Sequence, residues 1–125
     1  MRLKDKVCVI TGGAAGIGKA TAQKFAAEGA KVVICDVNEE AGNAFAAELG
    51  NDASFYKVNV TNRQEVQQWI DDVEEKYGRI DVLVNNAGVT RDGQFVKFKE
   101  GQLLGQMSED AFDLVVSVNL KGVFN

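Results

Sequence analysis

Eight residues, Thr11-Gly12-Gly13-Ala14-Ala15-Gly16-Ile17-Gly18, limit what this chain can fold into more than any others. They stand between an apolar run, Val7-Cys8-Val9-Ile10, and an alanine-rich amphipathic stretch from Lys19 to Glu28. The run reads as a buried strand and the stretch as a helix. The chain turns from one to the other across Gly12, Gly16 and Gly18. Such a turn brings a helix N-terminus, with its unpaired N–H groups and positive dipole end, against a phosphate. Glycine permits the tight turn and removes the Cβ atoms that would hold a pyrophosphate away from the backbone. A second run, Lys31-Val32-Val33-Ile34-Cys35, ends in Asp36, eighteen residues after Gly18. A dinucleotide-binding fold places its ribose-binding acid there. The loop alone is a weak signal; the loop, its strand–turn–helix setting and the acid together are a specific one.

The chain has 125 residues, enough for one domain with a real core and short for a complete dinucleotide enzyme. Its net charge is -4, with no arginine-rich tract, so nucleic acid is not an expected partner. The start, Met1-Arg2-Leu3-Lys4-Asp5-Lys6, has no apolar leader region, and no run approaches the length that spans a bilayer. A cytoplasmic protein without a membrane partner is the expectation. Cys8 and Cys35 fall in the two buried strands. As parallel neighbours these place the cysteines out of register, too far apart for a disulfide, which needs Cα atoms within about 7 Å. Two structural thiols are expected. There is no histidine, which removes the commonest general base and the commonest metal ligand. No metal site is expected.

Beyond Asp36 the elements continue to alternate strand and helix, the pattern of a doubly wound α/β sheet. Asn38 is placed to cap a helix whose first turn carries Glu39 and Glu40, with Ala41, Phe45 and Leu49 on its apolar side and Gly50 at its stop. Ser54 to Val60 reads as a third strand. Thr61 is expected to open a third helix, with Gln64 as its capping-box partner. Val66, Trp69, Ile70, Val73 and Tyr77 recur at helical spacing before Gly78, which makes Trp69 a core residue. Ile80 to Asn85 reads as a fourth strand, apolar on both faces around Val82-Leu83-Val84. Gln94-Phe95-Val96-Lys97-Phe98-Lys99 alternates apolar and polar, Glu100-Gly101 is a turn, and Gln102 to Gln106 follows, so 93–107 reads as a solvent-facing hairpin. Ser108 then caps a last helix with Phe112, Val115, Val116, Leu120 and Val123 on one side. No repeat, low-complexity tract, proline or domain boundary interrupts the chain.

These residues resemble the short-chain dehydrogenases/reductases over the whole length of the chain. Thr11-Gly12-x-x-x-Gly16-x-Gly18 looks like that family's glycine-rich loop, Asn85-Asn86-Ala87-Gly88 like its motif after the fourth strand, and Val118-Asn119 like the place of its active-site asparagine. Within the family, Asn59-Val60-Thr61 and Asn86-Ala87-Gly88-Val89-Thr90-Arg91-Asp92 are similar to the 3-oxoacyl-(acyl-carrier-protein) reductases. The resemblance implies a Rossmann-type sheet in strand order 3-2-1-4, ending after the fourth helix, and hydride transfer between a nicotinamide and a carbonyl or alcohol. A small carbonyl compound or an acyl thioester is the implied substrate. Gly12, Ala14, Ala15, Gly16, Ile17 and Gly18 are then the pyrophosphate loop, and Asp36 the acceptor for the ribose hydroxyls. A 2′-phosphate would meet that carboxylate at short range. Members that prefer NADP usually carry Arg or Lys where Ala14, Ala15 and Val37 stand here, so NAD(H) is expected ahead of NADP(H). Asn59 and Val60 resemble the residues bordering the adenine, with Asn59 where many relatives have Asp. Asn86, Ala87 and Gly88 would lie along the middle of the cofactor, although Asn85 and Asn86 could equally cross-link strands. Asn119 is the one implied catalytic residue; an Asn in mid-helix is otherwise a packing or kink feature.

The family's chemistry also needs a serine, and a tyrosine with lysine four residues on. Tyr56 and Tyr77 are the only tyrosines, and Val60 and Asp81 stand four residues after them. In a complete member the missing groups would lie beyond Asn125, so the chain is expected to bind cofactor and not to turn over substrate. A nucleotide-binding half-domain without catalysis is the alternative reading; a Rossmann methyltransferase or flavin protein fits the Asn-Asn-Ala-Gly run poorly. In order 3-2-1-4 the fourth strand is an edge, which predicts self-association or pairing with a complementary fragment. The 93–107 segment exceeds the family's usual connection and could shape a substrate entrance or an oligomer contact. Arg91, Lys97 and Lys99 are the local candidates for docking an acidic carrier.

Overall fold

In the computed structural model, which describes residues 1–125, the apolar run after Lys6 becomes β1 (Val7–Thr11), with all five residues buried. Alternate residues of a strand point to opposite faces, so β1 needs cover on both. Val7 and Val9 pack with Val33, Cys35, Trp69 and Val73, whereas Cys8 and Ile10 pack with Ala22, Val32, Ile34 and Phe45. The cover comes from α1 (Gly16–Ala27) and α2 (Glu39–Leu49) on the Cys8 side and α3 (Arg63–Tyr77) on the Val7 side. Trp69 is buried in that second layer, as its helical spacing predicts. β2 (Lys31–Asp36), β3 (Ser54–Lys57) and β4 (Val82–Val84) join β1 in one parallel sheet of order β3-β2-β1-β4. The fold is the expected Rossmann-type doubly wound sheet. Because the chain winds from β1 through β2 to β3 on one side and then crosses to place β4 on the other side of β1, a crevice opens at the carboxyl ends of β1 and β4.

The two thiols are separated more thoroughly than register alone requires. Cys8 pairs with Val32 and Cys35 with Thr11, and the side chains enter opposite core layers. Both are free.

Four local expectations need correction. The third strand stops at Lys57 because its neighbour β2 ends at Asp36 and turns away; Val58 N–H makes a last bond to the Asp36 carbonyl, and 58–60 run on unpaired. The third helix is capped by Asn62, one residue later than expected. Asn62 Oδ1 accepts from the N–H groups of Gln64 and Glu65, while Thr61 is occupied in a turn closed by Asn59 Oδ1. Glu65, not Gln64, reaches back, accepting from Asn59 N–H at 2.8 Å. β4 is shorter than Ile80–Asn85 and is not covered on both faces: it pairs only with β1, and Leu83 is 53% exposed. The last helix begins at Ser108, as read, but α4 (Glu109–Val115) passes into a π-helical stretch, Val116–Lys121, and a closing turn, Gly122–Phe124. Its apolar side is largely uncovered, Leu120 being 69% exposed. Between β4 and α4, β5 (Val96–Lys99) and β6 (Gln102–Gln106) form the antiparallel hairpin, with positive φ at both Glu100 and Gly101 in the two-residue turn.

At the opposite end of the sheet Asp81 ties the entry of β1 to the entry of β4. Its carboxylate is bridged by the Arg79 guanidinium, accepts from Val7 N–H at 2.9 Å and lies 3.9 Å from Lys6 Nζ. The Arg79 contact, with the Val7 bond behind it, holds the carboxyl below the usual carboxylate range. A carboxylate whose pKa falls on folding contributes fully above its unfolded pKa and loses that contribution as pH drops through the folded value. Asp81→Asn is therefore expected to lower Tm at neutral pH, with the gap to the parent closing below about pH 4. Thermal unfolding followed by circular dichroism across pH checks this; a gap of constant size would contradict it.

Candidate functional site

The crevice at the switch point is a cleft of about 360 Å³. Every strand of the sheet supplies residues from its carboxyl end: Gly12 after β1, Asp36 at the end of β2, Val58, Asn59 and Val60 after β3, and Asn86, Ala87, Gly88 and Val89 after β4. Ala15 and Gly16 enter from the loop, Val37 from the start of the β2–α2 connection and Val118 from the π-helical stretch.

Thr11 joins the two central strands where they end. Its hydroxyl oxygen accepts from Asn86 N–H at 3.0 Å and Ala87 N–H at 2.9 Å. Asn86 Nδ2 answers by donating to the Thr11 and Gly12 carbonyls, both at 3.1 Å. The strand-linking alternative for Asn86 thus holds, and the residue borders the cleft as well. Gly12 has φ +65, and a Cβ there would fall 3.0 Å from Ala87 Cα. Gly13, which the sequence motif left unassigned, lies so close to β2 that a Cβ would stand 2.6 Å from Ile34 Cβ, and its N–H bonds the Cys35 carbonyl. Gly18 is packed against the loop itself, where a Cβ would collide with the Gly12 carbonyl oxygen. Gly16, which like Gly12 has a positive φ (+55) and borders the cleft, differs from all three in that nothing beyond its own helix backbone and chain neighbours lies within 4 Å of the missing Cβ. The space above Gly16 is open.

That open space faces the start of α1. Ala15 is its N-cap, with no side-chain cap bond and no acid in the first turn. Asn38, Asn62 and Ser108 cap the starts of α2, α3 and α4. The first bond inside α1 runs from Lys19 N–H to the Ala15 carbonyl, so the N–H groups of Gly16, Ile17 and Gly18 have no helical partner. These donors, and the dipole behind them, suit an anion. Asp36 stands across the loop. Its Oδ2 accepts from Ala14 N–H and its Oδ1 from Asn38 N–H, both at 3.2 Å, which fixes the carboxylate and leaves further lone pairs free. No lysine or arginine borders the cleft.

Ala14, Ile17 and Gly18 do not border the cleft. Ala14 is buried under the loop, Gly18 lies behind Gly12, and Ile17, turned away by the helical rotation of about 100° per residue, is 79% exposed. Cys35, Val58, Val89 and Val118 border it without having been singled out. Val58 and Val89 continue runs already recognised, Val118 belongs to the pair likened to the place of the active-site asparagine, and Cys35 gave no local signal. Burial pushes the Cys35 thiol up to about 12, so it is a neutral wall and not a nucleophile. The expected adenine-side acceptor of Asn59 is occupied by Thr61, which leaves its amide NH₂.

The Asn119 side chain is bonded to the loop after β4. Its Oδ1 accepts from Val89 N–H at 2.8 Å and its Nδ2 donates to the Val89 carbonyl at 2.9 Å. These two bonds use one donor and one lone pair of the amide, so the residue positions the loop after β4 and keeps a second N–H and a second lone pair. The π-helical turn around it lets the side chain reach that loop, and single π turns recur at functional sites. Nearby, Gly122 lies against Val60, whose carbonyl accepts from Asn125 Nδ2 at 2.9 Å. Neither tyrosine reaches the cleft. Tyr77 bonds the Asp52 carbonyl and Ser54 hydroxyl, and Tyr56 lies half-buried against the α3 layer.

A family model described as short chain dehydrogenase matches residues 6–125. The chain is 48% identical over 128 residues to a 3-oxoacyl-(acyl-carrier-protein) reductase of Thermotoga maritima, across 100% of this chain and 48% of that protein. It is 42% identical over 124 residues to short-chain dehydrogenase reductase 3a of Arabidopsis thaliana, across 98% and 45%. Among solved structures, a 3-ketoacyl-(acyl-carrier-protein) reductase from Brucella melitensis complexed with NADH matches with a TM-score of 0.83 and 34% identity, across 98% of this chain and 47% of that one. The chain spans about half the length of the curated relatives it matches.

Proposed function

The chain belongs to the short-chain dehydrogenase family, and from that membership we propose that its cleft binds a nicotinamide adenine dinucleotide, NAD(H) in preference to NADP(H), for hydride transfer between nicotinamide and a carbonyl or alcohol. The residues fit the cofactor. The open space above Gly16 and the uncapped start of α1 accommodate a diphosphate without a cationic side chain. Asp36 accepts the ribose hydroxyls, and Val37, Asn59 and Val60 border the adenine. Asn86, Ala87 and Gly88 flank the middle of the cofactor, with Asn119 holding Val89 beyond them. When bound, the nicotinamide supplies the hydride donor or acceptor. A 3-oxoacyl thioester is the substrate favoured by the likeness to the Thermotoga reductase.

The preference for NAD(H) rests on one observation: a carboxylate fixed in a cleft with no cation in its wall. A 2′-phosphate beside it would face an uncompensated like charge. Calorimetric titration with NADH and NADPH is the test. NADH is expected to bind at least about tenfold tighter, an energy difference of about 1.4 kcal/mol; equal or tighter binding of NADPH would refute the preference.

No tyrosine, lysine or serine borders the cleft. These 125 residues are proposed to hold the cofactor. The uncovered edge and helix, with Leu83, Leu120 and Phe124 exposed, support self-association. Sedimentation is expected to show a concentration-dependent rise above monomer mass, and a monomer at every concentration would count against it. No helix is long and apolar enough to cross a membrane.

A further inference from the structure

Val37, Val58, Asn59 and Val60 make the side of the cleft assigned to the base, and Asn59 carries the one polar side chain among them. Its neighbours orient the amide. Oδ1 accepts from Thr61 N–H at 3.0 Å and from the Thr61 hydroxyl at 2.8 Å, which uses both lone pairs. A backbone N–H can only donate, so the atom facing it is the oxygen and the NH₂ is the free end. The residue is also pinned through its backbone. Its N–H donates to Glu65 at 2.8 Å, and its carbonyl accepts from Asn62 N–H at 2.9 Å. The carbonyl of Val60 already accepts from Asn125 Nδ2, and Glu65 stands outside the cleft wall. What the Asn59 side chain offers a base is a donor, held in place.

We propose that Asn59 reads the base of the dinucleotide as a hydrogen-bond acceptor, so that this subsite takes a 6-oxopurine at least as well as adenine. The inference rests on the dinucleotide reading and goes beyond it in naming what the base subsite selects. At position 6 adenine carries an amine, which donates, whereas a 6-oxopurine carries a carbonyl, which accepts; N7 accepts in both. A side chain with donors alone meets one acceptor on that edge of adenine and two on that of hypoxanthine. Turned to the adenine amine, the Asn59 NH₂ would set two donors against each other. An aspartate here would keep one oxygen for Thr61 and present the second where the NH₂ stands. It would bond the amine and repel the carbonyl. Asparagine keeps the turn and removes that discrimination.

The test titrates the chain by calorimetry with NADH and with reduced nicotinamide hypoxanthine dinucleotide, which carries a carbonyl in place of the adenine amine. Amide spectra follow the Asn59 NH₂ and the N–H groups of Gly16, Ile17 and Gly18. The hypoxanthine dinucleotide is expected to bind within about threefold of NADH or more tightly, and both are expected to shift the Asn59 NH₂. Asn59→Asp is expected to move the affinity ratio at least about tenfold towards NADH, as a charge-assisted bond is gained by the amine and denied to the carbonyl. A ratio cancels any general loss of binding that the variant brings. Three results would overturn the proposal and leave the cofactor site standing. They are a parent preference for NADH beyond about threefold, a smaller than about tenfold change of ratio in Asn59→Asp, or an Asn59 NH₂ unmoved while Gly16, Ile17 and Gly18 shift. Failure of both dinucleotides to move Gly16, Ile17 and Gly18 would overturn the cofactor reading, and this inference with it.

Discussion

Gly18→Ala is expected to lower NADH affinity by about a hundredfold and stability by about 1–3 kcal/mol, the usual cost of forcing an extra carbon into a packed interior. The added Cβ collides with the Gly12 carbonyl oxygen and reaches Asn86 Nδ2 at 2.5 Å, so backbone must move. That carbonyl is itself bonded to Asn86 Nδ2, and Asn86 is tied to Thr11. Displacement at Gly18 therefore spreads through the junction of β1 and β4 that shapes the cleft floor. Gly16→Ala separates the two effects. Its Cβ meets no protein atom, so the stability cost is the backbone strain of φ +55, about 1–2 kcal/mol, while the methyl enters the space assigned to the diphosphate. Gly105→Ala, at an open position without positive φ, is the neutral control. Calorimetry with NADH and thermal unfolding of the three variants read both quantities. Unchanged binding in Gly18→Ala would mean the loop yields without reshaping the cleft.

Asp36→Ala combined with Val37→Arg is expected to invert the cofactor preference. Removing the carboxylate loses its charge-assisted bonds to the ribose, each worth about 1.5–3 kcal/mol, so NADH should weaken by roughly tenfold to a hundredfold. The like-charge penalty against a 2′-phosphate goes with it. Val37 borders the cleft and is 62% exposed, so an arginine there has room to reach the phosphate, which its fork of donors suits. The side effect is local: Ala14 and Asn38 N–H lose their acceptor, and stability should fall by about 1–3 kcal/mol. Titration of the double variant with NADH and NADPH decides the matter. A variant that weakens both cofactors equally would show that Asp36 acts through the loop and not on the ribose.

Features that a residue type enforces locally were legible in the sequence. Gly12, Gly16 and Asp36 stand where the turn, the open space and the strand-end acid require them. Asn38 and Ser108 cap α2 and α4 because each has a short polar side chain before a run with helical spacing. The misreadings arose where two local choices competed or a distant partner decided. Thr61 and Asn62 are both capping residues, and the outcome turned on Asn59, whose Asx-turn occupies the threonine. The third strand ended at Lys57 because β2 left the sheet, which no residue between Ser54 and Val60 reports. Asn119 reads as an interruption in a helix; its pairing with Val89, thirty residues away, is a tertiary fact. The Ile17 side chain faces outward, which the rotation of α1 decides, while its N–H stays among the free donors at the helix start.

In the proposed complex the dinucleotide lies in this cleft with its diphosphate on the free N–H groups of α1 and its ribose on Asp36. An amide-resolved titration of the isotope-labelled chain with NADH tests it most directly. The largest shifts are expected on Gly16, Ile17 and Gly18, with a second group at Asp36 and Val37 and a third at Gly88 and Val89. Saturable NADH binding that leaves the amides of Gly16, Ile17 and Gly18 unmoved would contradict it.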